Sequence, residues 1–289
     1  MSSKLTPRWI RANGLEFAYL EAGEGPLVLC LHGFPDTAWS FEPILHSLAA
    51  AGFRAVAVFM RGYAPSAIPL DGDYRVTTLG RDVIALIDHF GADKAYVAGH
   101  DWGAVAAYVA AALRPDRVSR IVTAAVPHLR RFLLRPGLGQ LKRSSYMGFF
   151  QLPVIPERRI VAQDFAWLRQ LIREWSPDWH FSERDFAPLR TGFSDPKRLK
   201  AALGYYRAMP RSLLQGENWQ TLMKPIAVPA RVIVGENDGC IGREMFIGQD
   251  HLFSAGYERV EMAGCGHFMH CEQPQAFADL LVEFFKRPA

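Results

Sequence analysis

The sequence predicts an α/β protein built on a mostly parallel, doubly wound sheet, and three observations carry that prediction. Short, largely apolar runs recur at residues 27–31, 54–59, 95–98, 120–126 and 230–235, as strands covered on both faces require. Helical patterns fall between them, at 37–50 and at 77–90, where Val83, Ile84, Ile87 and Phe90 recur at helical spacing. The loops after the strands carry Gly, Pro and chemically able side chains, and open α/β sheets bind ligands at the carboxyl ends of their strands.

In chain order, the alternation over 9–20 suits two edge strands joined at Asn13-Gly14, a strong hairpin signal. The run at 27–31 stops at His32-Gly33-Phe34-Pro35. A loop of this type can aim a backbone N–H, that of Phe34, at a neighbouring site. The strand at 54–59 ends in the turn-forming Met60-Arg61-Gly62-Tyr63-Ala64-Pro65-Ser66.

After the helix at 77–90 comes Ala95-Tyr96-Val97-Ala98-Gly99-His100-Asp101-Trp102-Gly103-Ala104, a strand, a Gly-x-Asp-x-Gly turn and a small-residue helix start. This is the layout of a nucleophile elbow, a sharp bend that exposes its central side chain at the sheet edge. Gly99 and Gly103 let strand and helix backbones pass closely, and the helix start supplies N–H groups and a positive dipole end. The turn alone also fits an ordinary N-cap aspartate. Asp101 stands where such elbows usually have Ser. A carboxylate is a poor acyl-transfer nucleophile, but it can displace a leaving group from sp³ carbon and leave an alkyl ester on the enzyme. Water can then attack that ester at the Asp carbonyl carbon, so the oxyanion site would serve the enzyme's own acyl group.

From about 128 to 219 the pattern changes to aromatics, Pro and Arg with helical segments at 160–174, 182–191 and 196–209. Phe149, Phe150, Trp167, Trp175, Trp179 and Phe193 suit an apolar ceiling or the packing of these helices on themselves. The strand at 230–235 runs into Glu236-Asn237-Asp238-Gly239. An acid after the nucleophile and before a histidine is the order of this architecture. Asp238 is the expected acid, and Glu236, nearer the strand, is its competitor. A last strand at 258–262 leads to Ala263-Gly264-Cys265-Gly266-His267-Phe268, which makes His267 the expected base. His270 lies just beyond, close to the start of the final helix.

The 289 residues, 49% hydrophobic and 21% charged, describe an ordinary globular chain. The net charge of +4 alternates in sign apart from a basic cluster at Arg130, Arg131 and Arg135, read as a solvated face, so neither nucleic acid nor a membrane is expected as partner. Cys30, Cys240, Cys265 and Cys271 lack zinc-ligand or secreted-framework spacing and read as reduced thiols of a cytoplasmic protein. The N-terminus has no apolar leader, and no run reaches membrane-spanning length.

Taken together, His32-Gly33-Phe34-Pro35, Arg61-Gly62-Tyr63-Ala64-Pro65-Ser66, Gly99-His100-Asp101-Trp102-Gly103 and the late Asp238 and His267 resemble the α/β-hydrolase fold epoxide hydrolases, relatives of the haloalkane dehalogenases. The resemblance implies an eight-stranded, mostly parallel sheet with helices on both faces and an inserted helical cap. The core would comprise 1–128 and 219–289, and the cap 129–218. It further implies two cap phenols that bind the epoxide oxygen. Tyr146, five residues before Gln151, and Tyr206, just before Arg207, match those segments, while Tyr205 is the structural neighbour.

The expected reaction follows. Asp101 attacks an epoxide carbon while Tyr146 and Tyr206 hold the oxygen, and water activated by His267 and Asp238 frees a vicinal diol. The N–H groups of Phe34 and Trp102 form the oxyanion hole, and Phe34, Trp102, Tyr146, Phe150 and Tyr206 contact substrate. No cofactor or metal is expected. The partners are a small epoxide and water, a homodimer is left open, and detoxification is the implied role. The alternative is a haloalkane or haloacid dehalogenase with the same nucleophile. Phe34 replaces the halide-binding Asn of the former, and Trp102 and Val105 depart from the arginines of the latter. A serine esterase lacks its serine here, and a non-catalytic receptor would not need the intact acid and base.

Overall fold

The computed structural model describes residues 4–288. Its eight strands are β1 (Arg8–Ala12), β2 (Leu15–Ala22), β3 (Leu27–Leu31), β4 (Arg54–Val58), β5 (Ala95–His100), β6 (Val118–Ala124), β7 (Ala230–Gly235) and β8 (Tyr257–Met262). They form one sheet in the order β1-β2-β4-β3-β5-β6-β7-β8. β1, β2 and β4 pair antiparallel, and every other neighbour is parallel. Asn13 and Gly14 close the first hairpin at positive φ, as a tight primed turn needs. Of the two hairpin strands, β1 lies at the sheet edge and β2 does not, because β2 pairs with β4 on its other side. Its pattern at 16–22 is correspondingly less alternating than an edge requires.

The helices α1 (Glu42–Ala50), α2 (Val76–His89) and α3 (Trp102–Leu113) cross over between strands. Between β6 and β7 come α4 (Leu129–Leu134), α5 (Gly137–Arg143), α6 (Ser145–Phe149), α7 (Ile155–Trp175), α8 (Glu183–Phe193), α9 (Pro196–Leu214) and α10 (Gly216–Met223). The chain ends in the short α11 (Met269–Glu272) and in α12 (Pro274–Phe285). The α7 segment is bent, since Gln163, Asp164 and Phe165 have positive φ. Apolar side chains fill both faces of the sheet: Val97, Tyr108 and Val232 on one, Val28, Ala98 and Ile233 on the other. No described helix is long and apolar enough to cross a membrane.

Strand order decides where the site lies. The chain runs from β3 to β4 on one side, then crosses back to β5 on the other. The carboxyl ends of β3 and β5 therefore adjoin at the point where the winding reverses, and a crevice opens there. The β3–β5 register pairs Leu31 with Gly99, which sets the loop after Leu31 beside Asp101.

The Arg61-to-Ser66 loop braces this edge. Arg61 makes two bonds to the Asp82 carboxylate, at 2.5 and 2.6 Å, with both side chains buried, a geometry that compensates the loss of hydration. Ser66 accepts from the Ala18 N–H and donates to the Phe59 carbonyl. The Tyr205 hydroxyl donates to the Arg61 carbonyl at 2.8 Å, tying α9 to the core.

The elbow is close-packed backbone. A Cβ on Gly103 would lie 2.0 Å from the Leu31 carbonyl oxygen, and one on Gly99 2.2 Å from that of Gly103. Neither partner can move without breaking the sheet. Gly103→Ala is therefore expected to cost about 3 kcal/mol or more, read as a lowered urea midpoint at unchanged slope.

Candidate active site

Asp101 caps β5 with φ 51 and ψ −117, a conformation that costs a non-glycine residue about 1–3 kcal/mol. The bend lifts its carboxylate out of the sheet, with 12% of the side chain accessible. Oδ1 accepts the Phe34 N–H at 2.7 Å, and the Trp102 N–H also bonds the carboxylate. The Phe34 donor can approach because Gly33 has no side chain: a Cβ there would sit 2.3 Å from Oδ1. His32 fixes the loop, with Nε2 accepting the Met60 N–H at 3.0 Å and Nδ1 bonding the Gly33 carbonyl at 3.0 Å.

His267 Nε2 stands 3.9 Å from Asp101 Oδ2, and Nδ1 lies 2.9 Å from Asp238 Oδ2. The other Asp238 oxygen accepts the Cys240 and Ile241 N–H groups at 2.7 and 2.8 Å. An Nδ1–H donated to Asp238 leaves Nε2 with its lone pair facing Asp101. Nε2 has no hydrogen-bond partner among the described residues. Its separation from Oδ2 is too long for a direct bond and suits a nucleophile approaching between them. Glu236, the competing acid, instead accepts the Gly264 N–H at 2.9 Å. His270 pairs with Asp36 at 2.9 Å and takes no place beside Asp101.

Burial pushes the Asp101 carboxyl up to about 6, although His267 and the Phe34 and Trp102 N–H groups pull it down. Burial would lower His267, but the Asp238 charge and hydrogen bond, aided by Asp101, hold it above the ordinary histidine value. Burial, followed by the Asp101 charge, keeps Tyr206 well above the usual phenol range, and burial with Cys240 does the same for Tyr146. Both phenols keep their protons at neutral pH.

Tyr206 from α9 and Tyr146 from α6 meet with ring centres 5.8 Å apart. Tyr206 packs edge-on against Trp102 at 5.1 Å, Phe34 at 5.4 Å and Phe150 at 5.0 Å. Its hydroxyl lies near Tyr146 and Trp102, yet no partner meets hydrogen-bond geometry. The Tyr146 hydroxyl is 3.5 Å from Cys240 Sγ. Phe150 is fully buried behind these rings. A cavity of about 820 Å³ opens from Tyr146 and Trp175 outward past Phe149 and Trp167 to Lys142, Arg143 and Arg159.

Trp175, read in the sequence only as one of the ceiling or packing aromatics, and Ser176, which gave no sequence signal, stitch the site together at the end of α7. The Trp175 carbonyl accepts the His267 and Gly239 N–H groups at 2.9 and 3.1 Å. Ser176 Oγ donates to Glu272 at 2.7 Å and accepts the Phe268 N–H at 3.0 Å. The Trp175 ring lies 5.2 Å from His267 and 4.9 Å from Tyr146. His100, its ring held neutral by burial and by His270 and His267, bonds the His267 carbonyl at 2.9 Å. Among the described residues two groups have the atoms to hold a metal ion, Asp36-His270-Cys271, in which Cys271 is half-buried, and the buried Asp238-Cys240-His267. Both are already hydrogen-bonded internally.

The profile of the alpha/beta hydrolase fold family matches residues 26–274. Among curated proteins, the AB hydrolase superfamily protein YfhM of Bacillus subtilis is 30% identical, the match covering 96% of this chain and 97% of that protein. Epoxide hydrolase A of Mycobacterium tuberculosis is also 30% identical, with 96% and 97% covered. Among solved structures, epoxide hydrolase A of Mycobacterium thermoresistibile superimposes with a TM-score of 0.84 at 26% identity, 98% of each chain being covered.

The raised Asp101 value has a sign that can be checked. Folding stability is complete below the unfolded carboxyl value and is lost as pH rises through about 6. Asp101→Asn should therefore exceed the parent in stability at pH 8, by about 2–3 kcal/mol, and lose that advantage towards pH 4. Urea unfolding across this range measures it.

Proposed function

The chain belongs to the α/β-hydrolase fold family, on its epoxide hydrolase branch, and from that premise we propose that it opens an epoxide to a vicinal diol through an ester on Asp101. One observation carries the reading. The Asp101 carboxylate has Oδ1 held by the Phe34 N–H at 2.7 Å and Oδ2 3.9 Å from an imidazole nitrogen that has no hydrogen-bond partner among the described residues.

Oδ2 attacks the epoxide carbon from the face opposite the C–O bond. That bond breaks, and the electron pair goes to the ring oxygen, where the Tyr206 and Tyr146 hydroxyls stabilise it. Protonated phenols suit this step, because they can donate to a developing alkoxide and release a proton late. The ester then has Oδ1 as its carbonyl oxygen, already bonded to the Phe34 N–H, with the Trp102 N–H beside it as the second donor. His267 removes a proton from water through Nε2, and the hydroxide adds to the Asp101 carbonyl carbon. Charge gathers on Oδ1, where the two N–H groups receive it. Asp238 orients the ring and stabilises the imidazolium. Collapse breaks the bond to the alcohol oxygen, which takes the proton back from the His267 imidazolium; the proton of the re-formed Asp101 carboxyl replaces the one the phenols gave to the first oxygen, so a neutral diol leaves and the carboxylate is restored. The segment 129–218 acts as the cap that brings the two phenols over the nucleophile. The dehalogenase reading has less support, since Phe34 offers an apolar ring where a halide would need a donor.

In a single turnover in ¹⁸O-water with enzyme in excess, the diol should carry unlabelled oxygen from Asp101, and label in that first diol would mean direct attack by water. His267→Gln should accumulate the ester, seen as an intact-mass gain equal to the epoxide. Tyr206→Phe should slow ring opening by about 10²-fold or more while leaving decay of the preformed ester near its parent rate. The rate of enzyme alkylation should fall as pH drops through about 6, where Asp101 takes up a proton.

A further inference from the structure

The basic character noticed in the sequence has a location. Residues 129–160 hold seven of the chain's 33 Lys and Arg but only one of its 29 Asp and Glu, and that one, Glu157, is paired with Arg207. The rest of the chain is close to neutral, so the net positive charge of the protein resides on this segment. Three of its cations, Lys142, Arg143 and Arg159, line the outer part of the 820 Å³ cavity whose inner end is Tyr146 and Trp175. Arg143 is bonded to Glu244 at 2.6 Å, whereas no hydrogen bond or ion pair engages the side chains of Lys142 and Arg159 among the described residues. Glu174 is the one acid of the lining, and Gln170 donates to it at 3.1 Å. Between the two ends the wall is aromatic and aliphatic: Phe149, Ile155, Trp167 and Leu171.

Tyr146 and Trp175 line the buried part of this cavity, and the Tyr146 ring lies 5.8 Å from Tyr206, which packs on Trp102 next to Asp101. Apolar side chains make up most of the remaining wall, and the exposed Lys142 and Arg159 complete it. A cleft lined by one sign of charge over low-dielectric walls concentrates oppositely charged solutes. A ligand that spans it would present a strained ring inward, a flat apolar body to the tryptophans and an anion outward. Resting on the epoxide-opening reading above, we infer that the preferred substrates are epoxides with an aromatic or similarly apolar body and a carboxylate or other anion remote from the ring. Lys142 and Arg159 would bind that anion. They are exposed and make no contact with Asp101 or His267, so the anion would be bound equally in ground and transition states, and the preference would reside in KM rather than in kcat.

The test compares phenyl glycidyl ether, its 4-carboxy analogue and its 4-trimethylammonio analogue by diol release. At low salt the carboxylated epoxide should have a kcat/KM about tenfold above the neutral one, through KM, and the cationic one should fall below it. The ratio should shrink as ionic strength rises. In K142Q/R159Q it should collapse towards one, with turnover of the neutral ether serving as the internal check of folding. Glu174→Gln should move it the other way, increasing the preference. Equal turnover of the three epoxides, or a preference unchanged in K142Q/R159Q, overturns the inference while the epoxide-opening reading stands. No diol from any of them, with no ester on His267→Gln, overturns both.

Discussion

The Asp101 backbone sits at positive φ on the end of a strand, and three sets of contacts keep it there. Gly103 presses on the Leu31 carbonyl, the Asp101 N–H bonds the Ala124 carbonyl at 3.2 Å, and α3 begins at the next residue. Strain of this kind persists only where the surroundings over-determine it. Relaxing it would return the carboxylate to the sheet plane, away from both the Phe34 N–H and His267. The buried sheet and α3, buried from Trp102 through Ala112, thus supply the rigidity that an exposed loop could not.

Burial favours the neutral form of every group in the site, and the neighbouring charges and hydrogen bonds decide the outcome. It disfavours the Asp101 charge, which is restored in part by two N–H donors and the nearby imidazole. It disfavours the His267 cation, which Asp238 restores. It leaves the Tyr206 and Tyr146 protons in place, with Asp101 and Cys240 reinforcing the effect. The same removal from water thus sets a carboxylate, an imidazole and two protonated phenols within one small volume.

The helices over the sheet are more than a cover. Trp175 and Ser176 bond the loops that carry Asp238 and His267, and Tyr205 bonds the loop that carries Arg61. Movement of α7 or α9 would therefore be felt at the acid–base pair as well as at the cavity. Sequence reading had no access to this link, because a backbone carbonyl leaves no residue-type signature.

The strands, the elbow and the order Asp101, Asp238, His267 were determined by the sequence alone. Apolar runs, glycine-bounded turns and residue chemistry are local properties that a linear reading preserves. That Asp238 rather than Glu236 would meet His267, and that His267 rather than His270 would stand beside Asp101, was legible because offset from a strand end fixes reach. Other features required the folded chain. β2 proved to be interior, which depends on its pairing with β4. Short helices such as α5 and α6 carry too few residues for a periodic pattern to stand out. The 3.9 Å between His267 and Asp101, the Cys240 sulfur beside Tyr146 and the cations gathered at one cavity mouth join residues far apart in sequence. Such distances are set by how strands cross over and helices pack, and that information exists only in three dimensions.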